Sequence, residues 1–214
     1  MTELLRLVLT LTLVSAVAGF ALSVAEEKTL PGREKQDRLA KLEAIEAVLP
    51  PHDNQPDQPD QELDMLDGQS DGRIRLEETD FYVAKDDQQI MGVAFKQESS
   101  NAYSGRIEVM LGVNLEGTLT GIDVVKHLET PGLGSKIDDP EKNNTFKEQF
   151  KDKSLTNSKL VADKIAVKKD GGDIEAISGA TISPRAVCEA VSKGLRLFEK
   201  VKDEFATINP NIPK

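Results

Sequence analysis

Residues 178–201 read SGATISPRAVCEAVSKGLRLFEKV, and this stretch decides how the C-terminal part of the chain folds. Its apolar residues recur at helical spacing, at positions 187, 191, 194, 195, 198 and 201, which predicts a long helix with one apolar face. Ser183 suits the N-cap and Pro184 the first helical position. Thr181 would then lie in a turn at the positive end of the helix dipole, where free backbone amides favour a phosphate.

The segment before this helix carries the signals of an antiparallel sheet. Two pairs of apolar, β-prone runs are each separated by a polar turn, which predicts two hairpins. A short helix and one further strand are expected to follow. In chain order these elements are Phe81–Lys85, Ile90–Gln97, Arg106–Val113, Leu119–His127, a helix within Asn143–Lys151 and a strand at Leu160–Lys168. The order predicts an α+β domain over residues 73–207.

Residues 1–25 have the composition of a membrane anchor. No residue from Leu7 to Ala25 is charged, and nineteen helical residues span about 28 Å, close to the hydrocarbon thickness of a bilayer. A cleavable signal peptide is the alternative, since Ser23-Val24-Ala25 is an acceptable cleavage site, but the apolar run is longer than a usual signal core. Basic residues flank the run mainly on its C-terminal side, among acidic ones, and they leave the orientation undecided.

The remaining segments are polar. Within residues 26–49, the apolar spacing predicts an amphipathic helix from Arg33 to Leu49. The composition of residues 50–72 predicts an acidic, proline-rich linker with few apolar side chains to bury. Residues 208–214 form an extended tail. The net charge is −10, and residues 50–80 hold ten acidic residues against two arginines, so nucleic acid is not an expected partner.

The nucleophilic and metal-binding residue types are sparse. Cys188 is the single cysteine, so an internal disulfide is excluded, and its place in the apolar helix predicts a buried thiol. His52 and His127 are far apart and lack a second ligand at metal-binding spacing. We therefore expect no metal site and no catalytic residue.

A second motif follows the fourth predicted strand. Residues 127–136, here called the motif loop, read HLETPGLGSK and place one proline and two glycines within four positions. Such a loop is tightly shaped, and its backbone can approach a ligand closely. Taken alone, it could equally be an ordinary turn.

Together the two motifs resemble one family. Glu129-Thr130-Pro131-Gly132-Leu133-Gly134 and Ser178-Gly179-Ala180-Thr181 (the SGAT turn) are similar to the FMN-binding domain of the G subunit of Rnf-type ion-translocating electron-transport complexes, with support from residues 101–107. The C subunit of the sodium-pumping NADH:quinone reductase shares this domain. The single N-terminal span and the length of 214 residues fit the G subunit.

The resemblance implies a covalent cofactor. Thr181 looks like the residue that is esterified to FMN by a separate flavin transferase, and Glu175 occupies the position where the family usually has Asp. The motif loop would lie against the flavin. The implied FMN-binding residues are Thr181, Ser178, Gly179, Ala180, Glu129, Thr130, Gly132, Leu133, Gly134, Lys136 and Tyr103. From the residues alone, Leu133 and Tyr103 could instead serve ordinary packing, and Lys136 could be merely solvated.

The implied function is electron relay. By the resemblance, the chain is a single-pass subunit of the cytoplasmic membrane whose domain lies outside the cytoplasm, and it carries electrons between other membrane subunits of an Rnf-type complex without an independent catalytic reaction. Its span holds no ionisable residue for an ion path. Two alternatives stay open: the C subunit of the sodium-pumping reductase or a flavin-bearing regulator, and a non-redox, membrane-tethered scaffold.

Overall fold

A computed structural model describes residues 2–56, 73–87, 89–139 and 145–208. The chain divides into two compact units, Met1–Lys41 and Leu42–Lys214. Most of the expected acidic linker, residues 57–72, and all of the tail beyond residue 208 lie outside the described residues. The acidic character predicted for the linker is therefore known from the sequence only.

Helix α1 runs without interruption from Thr2 to Val48. Its apolar part is long enough and apolar enough to cross a membrane, and it is exposed throughout. The residues expected to form an amphipathic helix, Arg33 to Leu49, continue this same helix as far as Val48. Pro31 lies inside the helix, because one missing N–H removes a single bond whereas a break leaves several unpaired groups at each new end.

The described part of the second unit is built on an antiparallel meander. Its neighbouring strands follow the chain order, as the two predicted hairpins require, and the α+β fold class is confirmed. The strands are β1 (Arg73–Leu76), β2 (Thr79–Asp86), β3 (Gln89–Ala102), β4 (Gly105–Asn114) and β5 (Leu119–Lys126).

Both faces of this sheet are covered, and strand alternation decides which residue meets which cover. On β4, Ile107, Val109, Leu111 and Val113 point into the main core beneath α3 (Ile182–Ile208), whose apolar face supplies Val187, Val191, Leu195, Phe198 and Val201. Met110 points to the opposite face and packs with Ile45 and Val48 at the end of α1. Residues 44–48 therefore belong to the folded domain.

The end of α1 lies in van der Waals contact with strand backbone. A Cβ atom placed on Gly112 would lie 1.9 Å from the carbonyl oxygen of Val48, so no side chain fits there. The same carbonyl accepts a hydrogen bond from Thr120 Oγ1 at 2.5 Å. The last turn of the helix is thus fixed to β4 and β5 by steric fit and by a hydrogen bond.

Short elements connect β5 to α3. They are a 3-10 turn at Gly134–Asp138, helix α2 (Thr145–Glu148), strands β6 (Leu160–Val161) and β7 (Lys164–Ile165), and a 3-10 turn at Lys168–Asp170. The prediction of a single strand at Leu160–Lys168 was wrong. Ala162 and Asp163 have positive φ and form a two-residue turn, so that β6 and β7 pair as a short hairpin. The helix expected within Asn143–Lys151 is present as α2, and the ring centroids of Phe146 and Phe150 are 5.5 Å apart.

Candidate functional site

The motif loop follows β5, and the SGAT turn precedes α3. Gly179 has φ of +81°, and a Cβ atom built there would lie 3.7 Å from Leu133 Cδ2. The side chain of Leu133 therefore lies close to Gly179 of the SGAT turn, two residues from Thr181. The fold brings together two motifs that are about fifty residues apart in sequence.

Thr181 occupies the position before the first helical residue. The amide of Arg185 donates to its carbonyl oxygen at 3.3 Å, the first i to i−4 bond of α3. Its side chain is half-buried, and its hydroxyl has no hydrogen-bond partner among the described residues. Thr181 thus offers a free hydroxyl beside the first amides of a long helix.

Ser183 does not cap α3. The helix begins at Ile182, two residues before Pro184, the expected first helical residue, and Ser183 is buried within the first turn. Its hydroxyl donates to Glu129 Oε2. The N-cap prediction for Ser183 was wrong because this hydroxyl is used between elements and not within its own helix.

Glu129 is the buried centre of the motif loop, with only 5% of its surface exposed. Besides the hydroxyl of Ser183, its carboxylate accepts the backbone amide of Ser104 at 2.8 Å through Oε1. Ser104 lies in the tight turn between β3 and β4, next to Tyr103. One carboxylate therefore connects the turn after β3, the motif loop and the start of α3.

Gly134 closes the loop over this carboxylate. A Cβ atom there would lie 2.5 Å from Glu129 Oε2 and 2.6 Å from Ser183 Oγ. The neighbouring turn is held by its own bonds: the amides of Leu133 and Ser135 donate to the Thr130 carbonyl, and the Gly132 amide donates to Ser135 Oγ. The Gly132 amide, expected as a donor to flavin, has an internal partner.

Exposed apolar side chains border the region where the motif loop approaches the SGAT turn and the start of α3, here called the junction. Leu133 and Ile182 are both more than 40% exposed, and Leu128 and Tyr103 are at least 70% exposed. Each lies within one or two residues of Glu129, Gly134, Ser104 or Ser183. Exposed apolar groups concentrated beside a free hydroxyl are typical of a surface that receives a ligand with an apolar part.

The chain matches the FMN-binding domain family over residues 102–196, a range that includes both motifs. The G subunit of an ion-translocating oxidoreductase complex from Cereibacter sphaeroides is 34% identical over 201 residues, 92% of this chain and 85% of the relative. The chain belongs to the family of G subunits of Rnf-type ion-translocating oxidoreductase complexes. A second such G subunit, from Aliivibrio fischeri, is 32% identical over 96% of this chain and 94% of its own length. The corresponding subunit of the Na⁺-translocating ferredoxin:NAD⁺ oxidoreductase complex of Acetobacterium woodii is 28% identical, with 92% of each chain covered.

Charged contacts hold the segment that leads into the SGAT turn of this G subunit. Asp170 accepts two hydrogen bonds from the guanidinium of Arg185, at 2.6 and 2.5 Å, and these bonds lower the pKa of Asp170. Glu175 is exposed, with its carboxylate paired to Lys168 and its amide donating to Gln149 Oε1 at 2.6 Å. The approach to Thr181 is therefore fixed at several points before the helix begins.

The end of β3 is tied to α3 by Glu189. Its Oε2 accepts hydrogen bonds from Ser99 at 2.8 Å and from Asn101 at 2.7 Å, and Lys193 lies 2.9 Å from Oε1. Partial burial by itself raises the pKa of Glu189, but the hydrogen bonds from Lys193, Asn101 and Ser99 together lower it to about 2. Sequence reasoning missed this group because its partners on β3 lie about ninety positions away along the chain.

The other expected site residues are placed around the junction. Thr130, Gly132 and Lys136 are at least partly exposed, and the ammonium of Lys136 has no partner in the part of the chain that the structure describes. Ser178 and Ala180 also reach the surface, with the Ala180 amide donating to the Ile177 carbonyl. Asp53, Asp86 and Asp87 form a separate exposed group whose carboxylate oxygens lie within 4.8 Å of one another, an arrangement that is common at protein surfaces without a metal.

Proposed function

We propose that this G subunit carries FMN as a phosphoester on Thr181 and relays electrons within an Rnf-type complex. The observation that carries the proposal is the closeness of the exposed Leu133 side chain to Gly179 of the SGAT turn, two residues from the free hydroxyl of Thr181. The family match supports FMN as the ligand, and the relatives' names support the complex.

The residues present fit the cofactor. Flavin combines an apolar ring system with a charged phosphate, and the junction offers both kinds of partner. Leu133 and Ile182 supply apolar surface for the ring, while the first amides of α3 and the ammonium of Lys136 supply positive charge for the phosphate. Bound FMN would supply the electron-carrying chemistry, and the protein would position it and exclude water from one face.

Attachment requires an external activator. A threonine hydroxyl is a weak nucleophile, and no histidine, cysteine or carboxylate is bonded to Thr181 Oγ1 among the described residues to act as its base. A flavin transferase that docks on the SGAT turn would supply that base and use FAD as the donor. Thr181 Oγ1 would bond to the phosphorus of the FMN half, the pyrophosphate bond of FAD would break, and AMP would leave with the proton. Ser178 and Gly179 lie at the surface and leave the approach open.

We place the soluble domain on the extracytoplasmic side of the membrane. A covalent bond fits that side, because flavin lost there could not be replaced from the cytoplasm. Helix α1 would tether the domain and contact the membrane subunits of the complex.

The test compares two threonines of the same junction. The full chain is co-expressed with a flavin transferase as wild type, Thr181→Val and Thr130→Val, and each is analysed by intact mass and by flavin fluorescence after denaturing electrophoresis. Wild type and Thr130→Val are expected to gain the mass of FMN less one water, and Thr181→Val is expected to remain bare. Flavin retained by Thr181→Val would refute the attachment site, and a bare wild type would favour the scaffold alternative.

A further inference from the structure

The carboxylate of Glu129 lies where three separate parts of the chain meet. Its oxygens bond to the Ser104 amide and the Ser183 hydroxyl, and the backbone of Gly134 passes directly over the pair. Its partners in these bonds are an amide and a hydroxyl, both neutral. Burying a carboxylate costs free energy unless hydrogen bonds offset it, and the bonds that do so here join three segments of the chain.

The place of Glu129 in the fold determines which side chains its hydrogen bonds keep in position. Leu133 of the motif loop lies close to Gly179 of the SGAT turn, and Ser183 is two residues from Thr181. The bond between Glu129 and Ser183 therefore fixes the distance between the apolar side chain of Leu133 and the hydroxyl of Thr181. The bond to Ser104 fixes Tyr103 relative to the same pair.

We propose that Glu129 is a positioning residue that sets the orientation of the flavin and does not itself bind it, with Ser183 and Gly134 as the parts that complete its network. This inference rests on the proposed attachment at Thr181. It replaces the expectation that the Glu129 carboxylate hydrogen-bonds the flavin. If the network is lost, the flavin remains tethered through Thr181 but loses its fixed contact with Leu133.

Three substitutions break the network in different ways. Ser183→Ala removes the hydroxyl donor, and Glu129→Gln keeps the size of the side chain but replaces one acceptor oxygen with a donor. Gly134→Ala changes neither group and inserts a methyl where 2.5 Å separates the Cβ position from Glu129 Oε2. Ser192→Ala is the matched control, since Ser192 is another buried serine of α3, bonded to Cys188 and Ile165 away from the junction.

The variants are compared as full chains loaded by the transferase, with two readouts. Visible circular dichroism and iodide quenching report the orientation and exposure of the flavin, and hydrogen exchange reports the loop at residues 129–136. We expect the three network variants to keep covalent flavin, to change its dichroism, and to speed exchange in the loop about tenfold, the factor that loss of one hydrogen bond to a charged group implies. Ser192→Ala should match wild type in both readouts.

A double variant and the possible failures complete the test. Glu129→Gln combined with Ser183→Ala should change the dichroism no more than either single change, because the two groups act as one unit. Faster loop exchange with unaltered dichroism and quenching would overturn the positioning role. Unaltered exchange would overturn the network itself. A wild type without flavin would refute the proposed function, and the positioning role with it, whereas loaded variants identical to wild type would refute the positioning role alone.

Discussion

Substitution of Gly112 by alanine should release the end of α1 from the sheet. The new methyl would lie 1.9 Å from the Val48 carbonyl oxygen and 2.5 Å from Thr120 Oγ1, so the backbone of the helix end must move away. That movement breaks the bond from Thr120 to Val48 and loosens the packing of Ile45 and Val48 on the sheet.

The magnitude follows from two contributions. Overpacking a buried site costs about 1–3 kcal/mol, and loss of one hydrogen bond costs about 1 kcal/mol more. Gly112→Ala should therefore lower the free energy of unfolding by about 2–4 kcal/mol, which for a chain of this size lowers Tm by about 4–16 °C.

Gly121→Ala provides the control. Gly121 lies beside Gly112 on β5 and faces the same helix end, but its Cβ position is 3.6 Å from Val48 Cα, an ordinary van der Waals distance. We expect its Tm to stay within about 3 °C of wild type, since alanine also restricts the unfolded chain. Thermal unfolding of the detergent-solubilised full chain, followed by circular dichroism, measures both variants. Equal Tm values for the two would refute the assignment of the helix end to the folded domain.

Other groups give further outcomes. The pKa of Glu189 is lowered in the folded state, so the stability that its carboxylate contributes is present above its ordinary pKa and is lost as the pH falls toward about 2. Glu189→Gln should therefore make Tm fall less steeply with pH in that acid range. An unaltered fall of Tm would contradict this. Burial raises the pKa of the Cys188 thiol to about 12, so iodoacetamide at a pH of about 8 should leave it unmodified in the native protein and alkylate it in urea, as intact mass will show; rapid native alkylation would contradict the packing of α3. Because Cys188 is unreactive in the native protein, an impermeant maleimide applied to intact cells reports only on an added cysteine. It should label Glu116→Cys, which is exposed on the domain, and leave Glu3→Cys, which precedes the span, unlabelled. Labelling of Glu3→Cys and not of Glu116→Cys would place the domain in the cytoplasm.

The parts of the fold that the sequence predicted are those whose signals lie in consecutive residues. The apolar, β-prone runs of β2 to β5 and the helical spacing from Val187 to Val201 are such signals, and both appear in the structure as expected. The continuity of α1 was not predictable from the same signals, since Pro31-Gly32 ordinarily indicates a break. Whether a helix continues through a proline depends on two free-energy costs: the one backbone hydrogen bond lost at the proline, and the unpaired backbone groups that two new helix ends would leave.

The candidate site divides in a similar way. The two motifs and Thr181 stand out as glycine-containing turns beside regular elements, and their joint resemblance to one family brought them into one hypothesis. The bonds that assemble them did not stand out. Ser183 has the ordinary appearance of an N-cap, yet its hydroxyl is directed to Glu129, 54 positions away, and only the packing of the motif loop on α3 reveals this.

The central claim is the bond between Thr181 and FMN, and peptide mass spectrometry of the membrane-extracted full chain tests it most directly. Trypsin releases residues 170–185 as one peptide, which holds three hydroxyl residues, Ser178, Thr181 and Ser183. We predict that this peptide carries one FMN and that fragmentation places it on Thr181. A bare peptide, or flavin on Ser178 or Ser183, would contradict the account.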